Sequence, residues 1–348
     1  MERVLSYAKA ICEGTDQAMA QDSSVVLLGL GVDDHKAILG TTSGLAEKYG
    51  GARVFDTPLS EDAMTGLAIG MARAGLRPIH VHIRMDFLLL AMNQLINMAA
   101  KTHYMYGGHE HVPLVVRASI GKSWGQGAQH SQAFHSFFMH TPGIKVVAPA
   151  TPYDAKGALT AAIRDPNPVL FVEHRLLYST TGPVPEESYV VAPGMSRRVT
   201  IGDDVTLVGI SYMQLECYRA HVYLKEMGIG AEVIDPIWLS PIDMDTIIES
   251  VNKTGRLCVV DTGWLNCGAS AEIVARTCEA LQGKRQFQVQ RMGFAPVSCP
   301  PTPPLEDLFY PNARTIAQTA AAMVTGSHSV KLPEERPELK TIGFKGPF

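Results

Sequence analysis

The sequence predicts an α/β chain of two domains, each a mostly parallel, twisted sheet flanked by helices. Short apolar runs alternate with longer amphipathic ones along nearly the whole chain, the pattern of β-α-β units. The alternation is interrupted once, at residues 181–193, which hold three prolines and little periodicity. A length of 348 residues accommodates two medium domains. The expected division is a first domain over 1–180, a linker over 181–198, a second domain over 199–326 and a tail over 327–348.

Residues 6–21 read as a helix and 24–29 as a buried strand. Residues 37–49 read as a helix stopped by Gly50-Gly51. Val54 and Phe55 form a short strand, and Pro58 sets a turn after it. Ser60 then offers a hydroxyl at a helix N-terminus, with Glu61 in the first turn. Gly66 and Gly70, four apart, share a face of that helix where another group can approach closely. Residues 79–83 form the next strand. Residues 86–104 read as one long helix, with Phe87, Leu90, Ala91, Gln94, Leu95 and Met98 at helical spacing. Strands follow at 114–116, 145–147 and 169–172. Between the last two, Thr151-Pro152-Tyr153-Asp154 caps a helix that runs to Ile163.

The second series begins with a strand at 205–208 and a helix over 214–227 that stops at Gly228. Strands at 231–234, 257–260 and 287–290 alternate with helices at 243–251, 269–281 and 313–323. The tail is charged, proline-containing and aperiodic, so it is expected to stay extended or disordered until a partner binds it. Ile342-Gly343-Phe344 and Phe348 are its apolar groups for docking.

Composition narrows the function. The chain is 46% hydrophobic and 18% charged, with a net charge of −4. That mild acidity opposes a nucleic-acid surface, which needs a basic patch. Mean hydropathy is +0.05, which fits either a large core or an extensive subunit interface. The longest dense apolar run, Phe87 to Met92, is far too short to span a bilayer. No signal or transit segment is visible at the N-terminus. The six cysteines are scattered without a CxxC pair, as in a reduced, cytosolic protein.

Two stretches have the residue types of a catalytic site. By local pattern Glu61 reads as a carboxylate complementing the helix dipole. Gly125-Gln126-Gly127-Ala128-Gln129-His130-Ser131-Gln132 is a flexible loop ending in a histidine, a residue type suited to proton transfer, although a lone loop histidine also reads as a surface residue. Other signals fail. Gly121-Lys122-Ser123 has Val116 where a phosphate loop needs its first glycine. His80 with His82, and His109-Glu110-His111, offer no third ligand at zinc spacing.

The run from Asp56-Thr57-Pro58-Leu59-Ser60-Glu61 through Phe87 and Asn93-Gln94-Leu95-Ile96-Asn97 to Gly108 resembles the beta subunit of the decarboxylating component of 2-oxoacid dehydrogenases. Gln129-His130-Ser131-Gln132 carries the same resemblance. So do Val259-Val260-Asp261-Thr262-Gly263-Trp264 and Gly268 to Ile273, which resemble the transketolase C-terminal domain of those subunits; the family often has glutamate where Asp261 stands. The resemblance stops before the tail.

The resemblance implies a thiamine diphosphate-binding pyrimidine domain followed by a transketolase C-terminal domain. Glu61 is implied to hydrogen-bond the pyrimidine ring nitrogen, with Phe87 and Ile83 beside the ring, although Phe87 also reads as a core residue. His130 is implied to orient substrate and transfer protons. Leu114, Ala162, Ile163, Asp165 and Asn167 match positions that bind a structural potassium ion; an ordinary Asp/Pro/Asn turn is the competing reading of the last two. No Gly-Asp-Gly followed by Asn-Asn is present. Magnesium and the diphosphate are therefore expected on a partner alpha subunit, in an alpha2-beta2 assembly with a lipoyl acyltransferase core as acyl acceptor.

Two departures bear on substrate. Leu30 and Gly31 stand where the family carries an acidic pair. The segment His80-Val81-His82-Ile83-Arg84-Met85 stands where pyruvate-type members carry a mostly uncharged aromatic stretch, and Arg84 is either a substrate-anion contact or a solvated or interface arginine. The reading is thus a dehydrogenase beta subunit. The alternatives are a split transketolase-like or acyloin-forming enzyme without lipoate, and a non-catalytic scaffold.

Overall fold

The computed structural model describes residues 3–122, 125–327 and 329–340. The first half runs β1 (Val4–Ser6), α1 (Tyr7–Gln21), β2 (Val25–Gly29), α2 (Ala37–Gly40), α3 (Leu45–Tyr49), β3 (Val54–Phe55), α4 (Glu61–Arg73), β4 (Arg77–His82), α5 (Met85–Leu88), α6 (Ala100–Met105), β5 (Val115–Ile120), α7 (His135–Met139), β6 (Lys145–Val147), α8 (Pro152–Arg164), β7 (Val169–His174) and β8 (Thr181–Pro183). The second half runs β9 (Arg197–Arg198), β10 (Val205–Gly209), α9 (Tyr212–Glu226), β11 (Ala231–Asp235), β12 (Trp238–Ser240), α10 (Met244–Thr254), β13 (Arg256–Trp264), α11 (Ala269–Leu281), β14 (Gln288–Phe294), α12 (Pro303–Phe309) and α13 (Ala313–Thr325).

The larger sheet has the order β12-β6-β7-β5-β4-β2-β3, and the smaller β14-β13-β10-β11-β9. Strands β2 to β7 are mutually parallel, as are β10, β11, β13 and β14. Only β12 and β9 join their sheets antiparallel. The central strands are buried along their length, as a sheet covered by helices on both faces requires. Thr151 accepts from Asp154 N at 3.0 Å with Pro152 in the first turn, so that cap forms as the sequence predicts.

Several elements differ from expectation. The helix expected over 37–49 is broken. Ile38 and Leu39 have φ of 47° and 59°, and Gly44 turns left-handed to start α3. The intervening Thr41, Thr42 and glycines form helix poorly, which explains the break. Ser60 occupies the N-cap of α4 but makes no side-chain capping bond. The long helix expected over 86–104 contains a 3-10 turn at Leu89–Ala91 and a π turn at Gln94–Ala99.

The linker region contributes β8, which pairs antiparallel with β1. The described part of the tail lies on its own chain. Arg314 Nη1 donates to Pro333 O at 3.0 Å, Arg336 pairs with Glu226 at 2.5 Å, and Leu332 and Leu339 pack on the core. The docking groups Ile342, Gly343, Phe344 and Phe348 lie outside the described residues.

Beneath α4, the rings of His80 and His82 on β4 meet at 3.2 Å, and the Thr65 hydroxyl lies 3.5 and 3.4 Å from them. Burial pushes His80 down to about 4 and His82 well below its usual value. His174 is pushed down to about 3 by burial, with Lys122 adding to the effect. The unfolded chain protonates these imidazoles near pH 6.5, and the folded chain does so only at much lower pH. Their contribution is therefore complete above about pH 6.5. It is lost as pH falls toward about 4, at roughly 1.4 kcal/mol per pH unit for each ring. The guanidinium unfolding midpoint should fall between pH 7 and pH 5, and His80→Gln should flatten that dependence.

Candidate active site

The parallel strands β2, β3, β4, β5 and β7 all end at one edge of the larger sheet. From β2 the chain passes to β3 on one side, while β4 lies on the other. The sheet order thus reverses between β2 and β4, and crevices at such reversals hold ligands in open α/β sheets. The site residues expected from the sequence follow these strands: Glu61 after β3, Ile83, Arg84 and Phe87 after β4, and His130 after β5.

Local bonds fix each segment. Asp56 Oδ1 accepts from Gly31 N at 2.8 Å and Thr57 N at 2.9 Å, tying the turn after β3 to the chain leaving β2. Glu61 opens α4 half-buried. Among the described residues its carboxylate has no hydrogen-bond or ion-pair partner. Gly66 and Gly70 have open space outside them, so that face of α4 admits close approach.

Phe87 and His130 come together, with ring centroids 5.4 Å apart and the planes at 75°. The loop carrying His130 is fastened from two sides. Asp86 Oδ1 accepts from Gln132 N at 3.1 Å and Gln132 Nε2 at 3.0 Å. Arg175, directly after β7, donates to Ile120 O at 3.2 Å, to Gly121 O, to His130 O at 2.6 Å and to Gln126 Oε1. Half-buried Arg84 donates to the same Gln126 oxygen. Burial raises the Asp86 carboxyl above its usual range, while the Gln132 donors and His130 oppose that rise.

Asp86, Gln126, Gln132 and Arg175 have no role in the sequence reading. Asp86 and Arg175 follow strand ends at the ligand edge, a signal that could have marked them.

The residues expected to hold potassium gather elsewhere, at the opposite edge, where β5 and β7 begin and α8 ends. Arg77 Nη1 donates to Ile163 O at 3.0 Å and Asp165 O at 3.3 Å. The Asp165 carboxylate accepts from Lys145 at 3.1 Å and Asn167 N at 2.9 Å. Leu114 O accepts from Val169 N at 2.9 Å, and Ala162 O from Asp165 N at 3.3 Å. Asn167 Oδ1 is buried without a partner. An all-oxygen set with one unsatisfied member fits a hard monovalent cation. The nearby cations Arg77 and Lys145 oppose such an ion electrostatically.

The second half packs on the loop that carries His130. The Nε2–H of buried His135 donates to buried Asp261 Oδ1 at 3.0 Å, and Ser270 N donates to Asp261 Oδ2 at 3.2 Å. A Cβ on Gly125 would lie 2.3 Å from Pro301 O, so the His130 loop packs directly on the second half.

Among the described residues, a carboxylate without a partner and an aromatic edge lie at a sheet reversal, and a second parallel-sheet unit follows, an arrangement that fits a chain of the transketolase type. Residues 3–181 match the family described as transketolase, pyrimidine binding domain, and 194–316 match transketolase, C-terminal domain. The chain belongs to this family, and within it to the dehydrogenase beta subunits. It is 42% identical to the acetoin:2,6-dichlorophenolindophenol oxidoreductase subunit beta of Cupriavidus necator over 336 residues, 94% of this chain and 99% of that protein. It is 39% identical to the mitochondrial pyruvate dehydrogenase E1 component subunit beta-1 of Arabidopsis thaliana, over 91% of this chain and 88% of that one. A solved split-gene transketolase, titled an inactive beta4 tetramer, shares the fold with a TM-score of 0.76 at 21% identity, over 92% of this chain and 99% of that one.

Asp86→Ala should remove the one acceptor that serves both Gln132 donors and loosen the loop. Amide exchange over residues 125–132 should accelerate by roughly tenfold, the equivalent of about 1–2 kcal/mol.

Proposed function

We propose that this chain is the beta subunit of a thiamine diphosphate-dependent 2-oxoacid dehydrogenase, working with an alpha subunit across a shared site. Relatedness along almost the entire length of dehydrogenase beta subunits carries this reading. The position of Glu61, Phe87 and His130 at the ligand edge supports it.

Bound thiamine diphosphate supplies a carbanion nucleophile and then an electron sink for decarboxylation. Glu61 would offer its carboxylate to the pyrimidine ring nitrogen, and Phe87 and Ile83 would line the ring. The face of α4 opened by Gly66 and Gly70 admits the cofactor or the partner. His130, held by Arg175 and backed by Phe87, moves protons at the substrate oxygen as the acyl group forms. The alpha subunit holds magnesium and the diphosphate, and a lipoyl arm of an acyltransferase accepts the acyl group. Asn167 Oδ1 and neighbouring carbonyls would hold a potassium ion only if the Arg77 and Lys145 charges moved aside. All six cysteines are free, in keeping with a cytosolic home. Among the described residues no helix is long and apolar enough to cross a membrane.

The acetoin-acting names of two relatives, from Cupriavidus necator and Bacillus subtilis, favour a second reading in which the donor is a neutral acyloin. Lipoyl reduction with a 2-oxoacid, compared with acetoin, by the assembled enzyme separates the two.

Glu61→Gln should lower turnover by about a hundredfold or more while leaving the circular dichroism spectrum and assembly with the alpha subunit intact. Wild-type turnover by a folded variant would remove Glu61 from the mechanism.

A further inference from the structure

Three segments of the site converge on one atom. Gln126 Oε1 accepts from the guanidinium of Arg84, after β4, and from that of Arg175, after β7. Both donors are cations and the acceptor is a neutral amide. Guanidinium pairs far better with a carboxylate, because charge-assisted hydrogen bonds are roughly twice as strong as neutral ones and can be bidentate. Among the described residues Arg84 forms no ion pair, and Asp86 acts on it only through space. The two arginines therefore bracket a position suited to an anionic oxygen, now taken by a side chain on a glycine-flanked loop. Arg175 also grips the carbonyl of His130 at 2.6 Å, so whatever fills that position is coupled to the catalytic loop.

We propose that Gln126 Oε1 marks the seat of a substrate carboxylate, and that the substrate is a 2-oxoacid bearing a second, non-reacting carboxylate on its side chain. This rests on the 2-oxoacid reading above. The scissile carboxylate cannot be the group held there. It loses its charge as it leaves as carbon dioxide, so a pair of guanidiniums on it would stabilise the ground state more than the transition state and slow the reaction. A distal carboxylate keeps its charge throughout and can be gripped without that loss. The clamp also disfavours neutral acetoin, which offers no anion to either arginine.

The test uses the full chain, co-expressed and purified with its alpha subunit. Calorimetry compares succinate and glutarate with butyrate, none of which has a 2-oxo group to react. The better dicarboxylate should bind at least about tenfold more tightly than butyrate, and Arg84→Met should erase most of that difference. Gln126→Ala should keep the preference or strengthen it, because the amide is only a placeholder. Equal affinities in the wild type, a preference that survives Arg84→Met, or its loss in Gln126→Ala would overturn the proposal. In parallel, kcat/KM for 2-oxoglutarate or oxaloacetate should exceed that for pyruvate. If the complex turns over no 2-oxoacid at all, the dehydrogenase reading falls, while the dicarboxylate binding still decides the clamp.

Discussion

The site depends on one buried guanidinium. Arg175 leaves the end of β7 beside the end of β5, because the register of the two strands sets His174 opposite Ile120. From there it reaches the carbonyls of Ile120, Gly121 and His130, closing a loop that glycines leave free to wander. Gly121 is required at the root of that loop. Its φ is +93°, and a Cβ there would come within 2.3 Å of the His174 ring. Without the arginine, the histidine and the edge of Phe87 would be held only through the Asp86–Gln132 bonds and the ends of the loop. With it, chemistry is tied to the parallel pairing of two central strands.

The second half is part of this machinery. His135 lies on the helix that follows the loop, and its ring meets Asp261 within a buried strand of the other sheet. Lys122, next to Gly121, pairs with Asp307 on α12 at 2.7 Å. The loop bearing His130 is thus held between two sheets, with both of its ends answering to residues from the other half. A buried carboxylate-imidazole contact is costly unless its geometry is good, so it favours one mutual arrangement of the halves over others.

Much of the architecture was legible because it is written locally. The alternation of apolar runs gives the parallel sheets, and Thr151-Pro152 marks a helix start that forms as expected. The positions of Glu61, Phe87 and His130 follow from strand ends and from family resemblance. What escaped was long-range. The three-residue strand β12 carries no local signal, since it exists only by pairing with β6. Residues 37–40 look helical by composition but turn left-handed, where tertiary context overrides a weak preference. Asp86 and Arg175 are ordinary in sequence, and become part of the site only when β4, β5 and β7 bring their ends together. The tail shows the same limit, since its polar composition conceals Leu332 and Leu339, which find the core.

Strand β12 makes the two halves more than neighbours. Trp238 is fully buried, and its Nε1–H donates to Val191 O at 3.1 Å, while the strand seals the open flank of β6. During synthesis the first sheet is finished only after more than fifty residues beyond β8 have emerged. Until then it presents an unpaired edge, the kind of surface through which chains join wrongly. A gene split between the halves would therefore release a first product with an open seam. The fusion of the two halves in one polypeptide keeps the missing strand tethered at high local concentration, so that the seam is closed by its own chain before another can reach it.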